Sequence, residues 1–293
     1  MPGKESIMQT GVQQFQLRTV VKTEDSARRA LREIKKAGFD GLELNRYMLH
    51  KMPAAIRLFT KMAGMEMGAG GSLPWKKMIE DSGLSVLAMH TDLGSLEKDP
   101  QAVLDEAKTF GTNRIVLSGM YHYDYGNRES VSELVRRLNH AGKLCAESGF
   151  AFFYHNHNCE FLRDKTGALA FDRLVDGTDP SLVSFEFDCF WAAETGCDVV
   201  GRMRRMGKRI KLLHINDRGI RPVGAAASIL KSDGMELGTG NMPLEAILTQ
   251  AAETCDAVIL ETHRNWIGKD PVRSLQMSGA WLQEHLDGAG DRT

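Results

Sequence analysis

No stretch of this chain stays apolar for the roughly 18 to 20 residues that a bilayer-crossing helix needs. Its first eleven residues, MPGKESIMQTG, hold no apolar segment of signal-peptide type. A soluble cytoplasmic protein is therefore expected. No two of the five cysteines (Cys145, Cys159, Cys189, Cys197 and Cys255) form a CxxC pair, and their number is odd. That argues against a disulfide framework or a thiolate zinc site and for reduced, mostly buried thiols. Charge of one sign is also missing: 37 Lys plus Arg stand against 38 Asp plus Glu, a formal net charge of -1. A globally basic surface for nucleic acid or anionic membrane is thus absent, and small neutral or mixed ligands fit better. There is no low-complexity tract. No GxGxxG follows the first strand-like run, which speaks against a dinucleotide-binding doubly wound sheet.

What is present is a rhythm. The 293 residues, 42% hydrophobic and 26% charged, suffice for one large core. Eight short apolar runs read as strands: VQQFQLR (12–18), FDGLELN (39–45), LSVLAMH (84–90), NRIVLSG (113–119), GFAFFYHNH (149–157), LVSFEFD (182–188), IKLLHIND (210–217) and AVILETH (257–263). Helix-like segments alternate with them. After Thr23, the residues Ala27, Ala30, Leu31, Ile34 and Ala37 share one helical face, and Val131, Leu134, Val135, Leu138, Ala141 and Cys145 repeat the spacing before Gly149. A last helix follows Pro271. Eight such units in about 250 residues or slightly more predict an α/β protein, a (β/α)8 TIM barrel forming a single domain over 1–293. Two long connections, at about 46–78 and 218–242, follow C-terminal strand ends, the face where barrels of this kind place active sites. They are expected to act as lids or walls of a pocket.

Chemistry collects at the same ends. Five of the nine histidines, His90, His155, His157, His214 and His263, lie at or just past predicted strand ends, together with Glu43, Asp188 and Glu261. Alternate strand residues point to opposite faces. His155 then pairs with His157, Asp188 with Glu186, His214 with Asn216, and Glu261 with His263. If those faces point inward, one layer of the barrel mouth holds His155, Asp188, His214 and Glu261. Two imidazoles and two carboxylates without a thiolate suit manganese, cobalt, magnesium, iron or a catalytic zinc. Any one of them alone reads as a capping or core residue, but burying all four without a cation would cost several kcal/mol each. Asn156 and Asn158 face the other way and are expected to close the loop through side-chain to backbone hydrogen bonds. Trp191, after Asp188, is a candidate apolar wall for a sugar face.

AGFDGLELN, YHNHNCEF, FEFDCFWAAETGCD, LLHINDRG with the following ELGTGN, and VILETH resemble the sugar phosphate isomerase/epimerase family of xylose-isomerase-like barrels, from strand 2 to strand 8. Carried over by motif, that family's metal ligands fall on His155, Asp188, His214 and Glu261. Relatives that epimerise free ketoses have a Glu where this chain has His155, so a symmetric pair of carboxylates is not expected here. The resemblance implies a divalent-metal-dependent isomerase, epimerase or lyase/dehydratase acting on a sugar, keto-sugar or cyclitol through an enediolate-type intermediate. One metal ion, with manganese first, is expected. A metal-bound imidazole has no lone pair left for base work, so His157, Glu261 and Glu160 are the proton-transfer candidates, and Glu43, His90, Trp191, Arg218 and His263 the substrate contacts. The expected partner is a small carbohydrate, with no nucleic acid and no membrane; a homo-oligomer is compatible. Two other classes stay open at this point: an endonuclease IV-like nuclease, for which His90 and His263 would add ligands, and a non-catalytic metal-binding subunit of a heteromeric enzyme.

Overall fold

A computed structural model describes residues 8–51, 70–120, 122–221 and 229–287. Eight parallel strands close into a barrel: β1 (Gln9–Gln13), β2 (Gly41–Asn45), β3 (Ser85–Thr91), β4 (Arg114–Leu117), β5 (Ala151–His155), β6 (Ser184–Asp188), β7 (Ile210–Ile215) and β10 (Ala257–Leu260), hydrogen-bonded in the order β1-β10-β7-β6-β5-β4-β3-β2. A separate antiparallel ribbon joins β8 (Asp217–Gly219) to β9 (Asp233–Met235). The expected (β/α)8 barrel is therefore the fold.

The chain packs as two compact units, one built on Ala88–His214 with Gln250–Val258, the other on Gln9–Leu87, Ile215–Thr249 and Ile259–Thr293. Three of their boundaries fall inside β3, β7 and β10, and one inside the helix Leu244–Ala252.

In the first unit, the helix Arg128–Glu147 packs Val131, Leu134, Leu138, Ala141 and Cys145 into the core, as their spacing requires. Asn127 caps its start by accepting from the backbone N–H groups of Glu129 and Ser130, and Gly149 follows its end at φ 78°, a left-handed conformation that glycine adopts without strain. β5 and β6 run in register with His155 opposite Glu186, and β6 and β7 with Asp188 opposite His214. These pairings bring the chemical residues of three strands to one level.

In the second unit, Thr23 and Ser26 form a reciprocal capping box at the start of the helix Glu24–Lys36, which buries Ala27, Ala30, Leu31 and Ile34. Here one expectation is corrected. The run 12–18 is not the first strand: β1 occupies Gln9–Gln13, and Gln14–Leu17 turns into a 3-10 helix. The glutamines cause this. Gln13 caps the turn by accepting from the Phe15 N–H at 3.1 Å, Gln14 accepts from Asn45 N–H at 2.9 Å, and Gln16 accepts from Thr262 N–H at 3.0 Å. Their side chains take backbone partners that a regular strand would have left to its neighbours.

Several other strands stop short of their expected ends, so His157, Glu261 and His263 sit just past the ladders. Most of the first long connection, 52–69, and part of the second, 222–228, lie outside the described residues, as do those parts of the expected lids. Among the described residues no helix is long and apolar enough to cross a membrane.

Candidate metal centre

Glu186 stands two residues before Asp188 on β6 and is fully buried. Its Oε2 is hydrogen-bonded to His90 Nε2 at 2.9 Å and His155 Nδ1 at 3.0 Å, and His214 Nε2 lies 3.2 Å from the same oxygen. The other nitrogen of His90 lies 2.9 Å from Ser118 Oγ, and that of His214 lies 3.7 Å from Asp188 Oδ2. The rings of His155 and His214 meet edge to face with centroids 4.6 Å apart. His155 is held neutral: burial pushes its pKa well below the ordinary imidazole value, neighbouring His214, His157 and His90 push the same way, and Asp188 opposes them.

Asp188 divides its carboxylate between two tasks. Oδ1 caps the short helix Cys189–Glu194 by accepting from the Trp191 N–H at 2.9 Å, leaving Oδ2 on the side of His214. Its main chain is gripped by the buried Asn156, whose Oδ1 accepts from Asp188 N–H at 3.1 Å and whose Nδ2 donates to Asp188 O at 3.2 Å.

Beyond β5 the chain bends into Cys159–Phe161. Glu160 is fully buried and saturated with donors: Tyr154 Oη at 2.8 Å, His157 N at 2.9 Å and Cys159 Sγ at 3.2 Å. Tyr125 Oη lies 2.7 Å from Tyr154 Oη and accepts from Met120 N–H at 3.1 Å, so a buried chain of hydrogen bonds runs back to the loop after β4. Burial, with the Glu160 charge behind it, pushes the Tyr154 phenol well above its usual value and the Cys159 thiol up to about 12. The His157 ring leans on His155 (centroids 4.9 Å) and on Trp191 (5.9 Å). Gly119 is favoured beside them: it sits at φ 70°, and a Cβ there would lie 3.1 Å from Glu160 Oε1 and 3.2 Å from His157 Nδ1, a tight fit.

The remaining expected residues belong to the second unit. Glu261 is buried, with its Oε1 3.4 Å from His263 Nε2. Glu43 is buried in β2, accepting from Gln13 Nε2 at 2.8 Å. Arg218 is half-buried on the β8 ribbon. Arg18, absent from the sequence expectations, places its guanidinium over the rings of Phe15 (4.2 Å) and Trp266 (5.2 Å) and donates to His263 O at 2.7 Å.

Among the described residues of the first unit, the buried His90, His155, Glu186 and His214 offer ligand atoms that all lie within 4.8 Å of one another, with Asp188 Oδ2 3.7 Å from His214 Nδ1. These are nitrogen and carboxylate donors with no thiolate, a set that fits a divalent cation. Sequence reasoning missed Glu186 as a site residue. The signal existed in FEFD, because residues two apart on a strand share a face.

A parallel barrel with imidazoles and carboxylates gathered at and beyond its C-terminal strand ends belongs to the class of barrels able to hold a divalent ion there. Within that class the chain belongs to the xylose isomerase-like TIM barrel family, whose sequence pattern it matches over residues 31–285. An inosose dehydratase of Clostridium botulinum is 25% identical over 206 residues, covering 68% of this chain and 65% of that protein, so the chain spans just under two thirds of this relative. A sugar phosphate isomerase/epimerase of Parabacteroides distasonis superposes with a TM-score of 0.74 at 21% identity over 97% of this chain and 96% of that one. A xylose isomerase-like barrel protein of Mycobacterium smegmatis, solved in complex with magnesium, superposes with a TM-score of 0.67 at 11% identity over 98% and 99% of the two chains.

Proposed function

We infer that the protein is a metal-dependent enzyme acting on a keto-sugar or keto-cyclitol, removing a proton next to its carbonyl in a dehydration, isomerisation or epimerisation. The observation that carries this reading is the cluster of buried donors His155, Asp188 and His214, which is costly to bury without a cation, and the buried Glu261 is the fourth ligand in this reading. The inosose dehydratase relative supports a cyclitol or sugar substrate. The same four residues are the ligands in this reading, and manganese is the first choice of ion. When bound, the ion supplies electrophilic stabilisation of oxygens that gain negative charge.

The chain's own groups do the rest. His155 stays neutral and presents a lone pair. His157 is the candidate proton carrier, with its ring against His155 and Trp191 and its backbone N–H tied to Glu160. Glu261 is the second candidate carrier. Glu160, with both oxygens taken up by donors, holds the His157 loop in place. Trp191 offers a face on which a ring-shaped substrate packs, while Glu43, His90, Arg218 and His263 remain candidate substrate contacts.

The test is elemental analysis of purified protein, followed by deuterium uptake from D₂O into a panel of keto-sugars and keto-cyclitols, with and without chelator. One ion per chain and chelator-sensitive exchange next to the carbonyl support the reading. Absence of both sinks it.

A further inference from the structure

We propose that Glu186 is the positioning residue of the candidate metal centre, orienting His155 and His214 and selecting the ring nitrogen that each turns toward the ion. The inference rests on the reading that these two histidines are ligands, and goes beyond it by assigning a role to a residue outside the ligand set.

A carboxylate oxygen only accepts, so the nitrogens hydrogen-bonded to Glu186 Oε2, His90 Nε2 at 2.9 Å and His155 Nδ1 at 3.0 Å, carry the proton, and the same carboxylate 3.2 Å from His214 Nε2 favours the proton on that nitrogen too. A neutral imidazole has one N–H and one lone pair. For His155 the proton therefore sits on Nδ1 and the lone pair on Nε2. For His214 the order is reversed: the proton sits on Nε2 and the lone pair on Nδ1, the nitrogen on the Asp188 side. One carboxylate thus imposes opposite tautomers on two histidines from different strands. His90 completes the arrangement. With Nε2 on Glu186 and Nδ1 on Ser118 Oγ, it braces the carboxylate, a role consistent with its stacking on His214 at 5.6 Å and 25°. A carboxylate behind a ligating histidine fixes ring orientation and raises ligand basicity, and its loss commonly weakens metal binding about 10- to 100-fold.

The experiment titrates metal-free wild type, Glu186→Gln and His214→Ala with Co²⁺, following heat and the visible cobalt spectrum. A glutamine keeps the shape but can place an N–H against an imidazole N–H. Glu186→Gln is expected to keep one-ion stoichiometry, bind about 10- to 100-fold more weakly, and show an altered spectrum. Wild-type affinity with an unchanged spectrum overturns the proposal. Complete loss of binding, as in His214→Ala, also overturns it by making Glu186 a ligand itself. If wild type takes up no cobalt, the metal reading fails before any variant is compared. A measurement on the unmutated chain stands independently of whether the variant folds: ¹⁵N–¹H correlation of histidine-labelled wild type should find His155 protonated at Nδ1 and His214 at Nε2. The opposite tautomer at either residue overturns the proposal.

Discussion

Asn156 holds Asp188 by both of its main-chain polar groups, accepting from the N–H at 3.1 Å and donating to the carbonyl at 3.2 Å. The side chain thereby imitates one more rung of the β5–β6 ladder just where β5 ends at His155. Asn156→Asp replaces the donor with a second acceptor facing the Asp188 carbonyl. It should destabilise the protein by about 2–3 kcal/mol, and Asn156→Ala by about 1–2 kcal/mol. Urea unfolding measures both. Equal stability of Asp, Ala and Asn at this position would remove the clamp.

Asp188→Ala and His214→Ala should each lose the metal, because water cannot replace either donor in the same geometry. Elemental analysis after purification in the presence of manganese is the check. Full metal content in either variant would exclude the proposed ligand set.

His157→Gln should retain metal and substrate binding while turnover falls about 10²-fold or more, the scale of a positioned acid or base. Solvent-deuterium exchange at the substrate carbon should fall with it. A rise in KM with unchanged kcat would make His157 a binding residue and move the proton to Glu261.

Glu160→Gln exchanges one acceptor oxygen for an N–H among three donors and should cost about 1–3 kcal/mol. Tyr154→Phe should cost about 1–2 kcal/mol, and the double variant should fall short of the sum because the two share a bond. Additive losses in a double-mutant cycle would show that the Tyr154–Glu160 contact contributes nothing.

Cys159, with its thiol pushed up to about 12 chiefly by burial and then by Glu160, should react sluggishly with alkylating agents. At pH 8 its thiolate fraction lies on the order of 10³-fold below that of an ordinary cysteine. Mass spectrometry after timed iodoacetamide exposure reads this directly, and labelling as fast as a free thiol would contradict it. Glu160→Gln should speed the labelling, since removing the carboxylate charge lowers the thiol pKa.

The alternation of strand and helix, the capped helix after Thr23 and the long amphipathic helix at Arg128–Glu147 were legible from periodicity alone, because burying an apolar stripe is a local demand that sequence spacing records. The barrel class and the gathering of His155, Asp188 and His214 followed from where residues fall on strands. The first strand was misplaced because Gln13, Gln14 and Gln16 bond to backbone groups near themselves and on other segments, which spacing does not encode. The donors around Glu160, namely Tyr154, Cys159 and the His157 backbone, were likewise not legible, because the turn beyond β5 brings them together. Glu186 shows the same limit: its alternation with Asp188 was plain in FEFD, yet the meeting of three imidazoles on one of its oxygens depends on the packing of β3, β5, β6 and β7. The sequence by itself determined which residue types reach the barrel's C-terminal end, through the two-residue period of strands. Only the tertiary structure decided which of them hold one another, because hydrogen-bond partners from separate strands are chosen by register and side-chain packing.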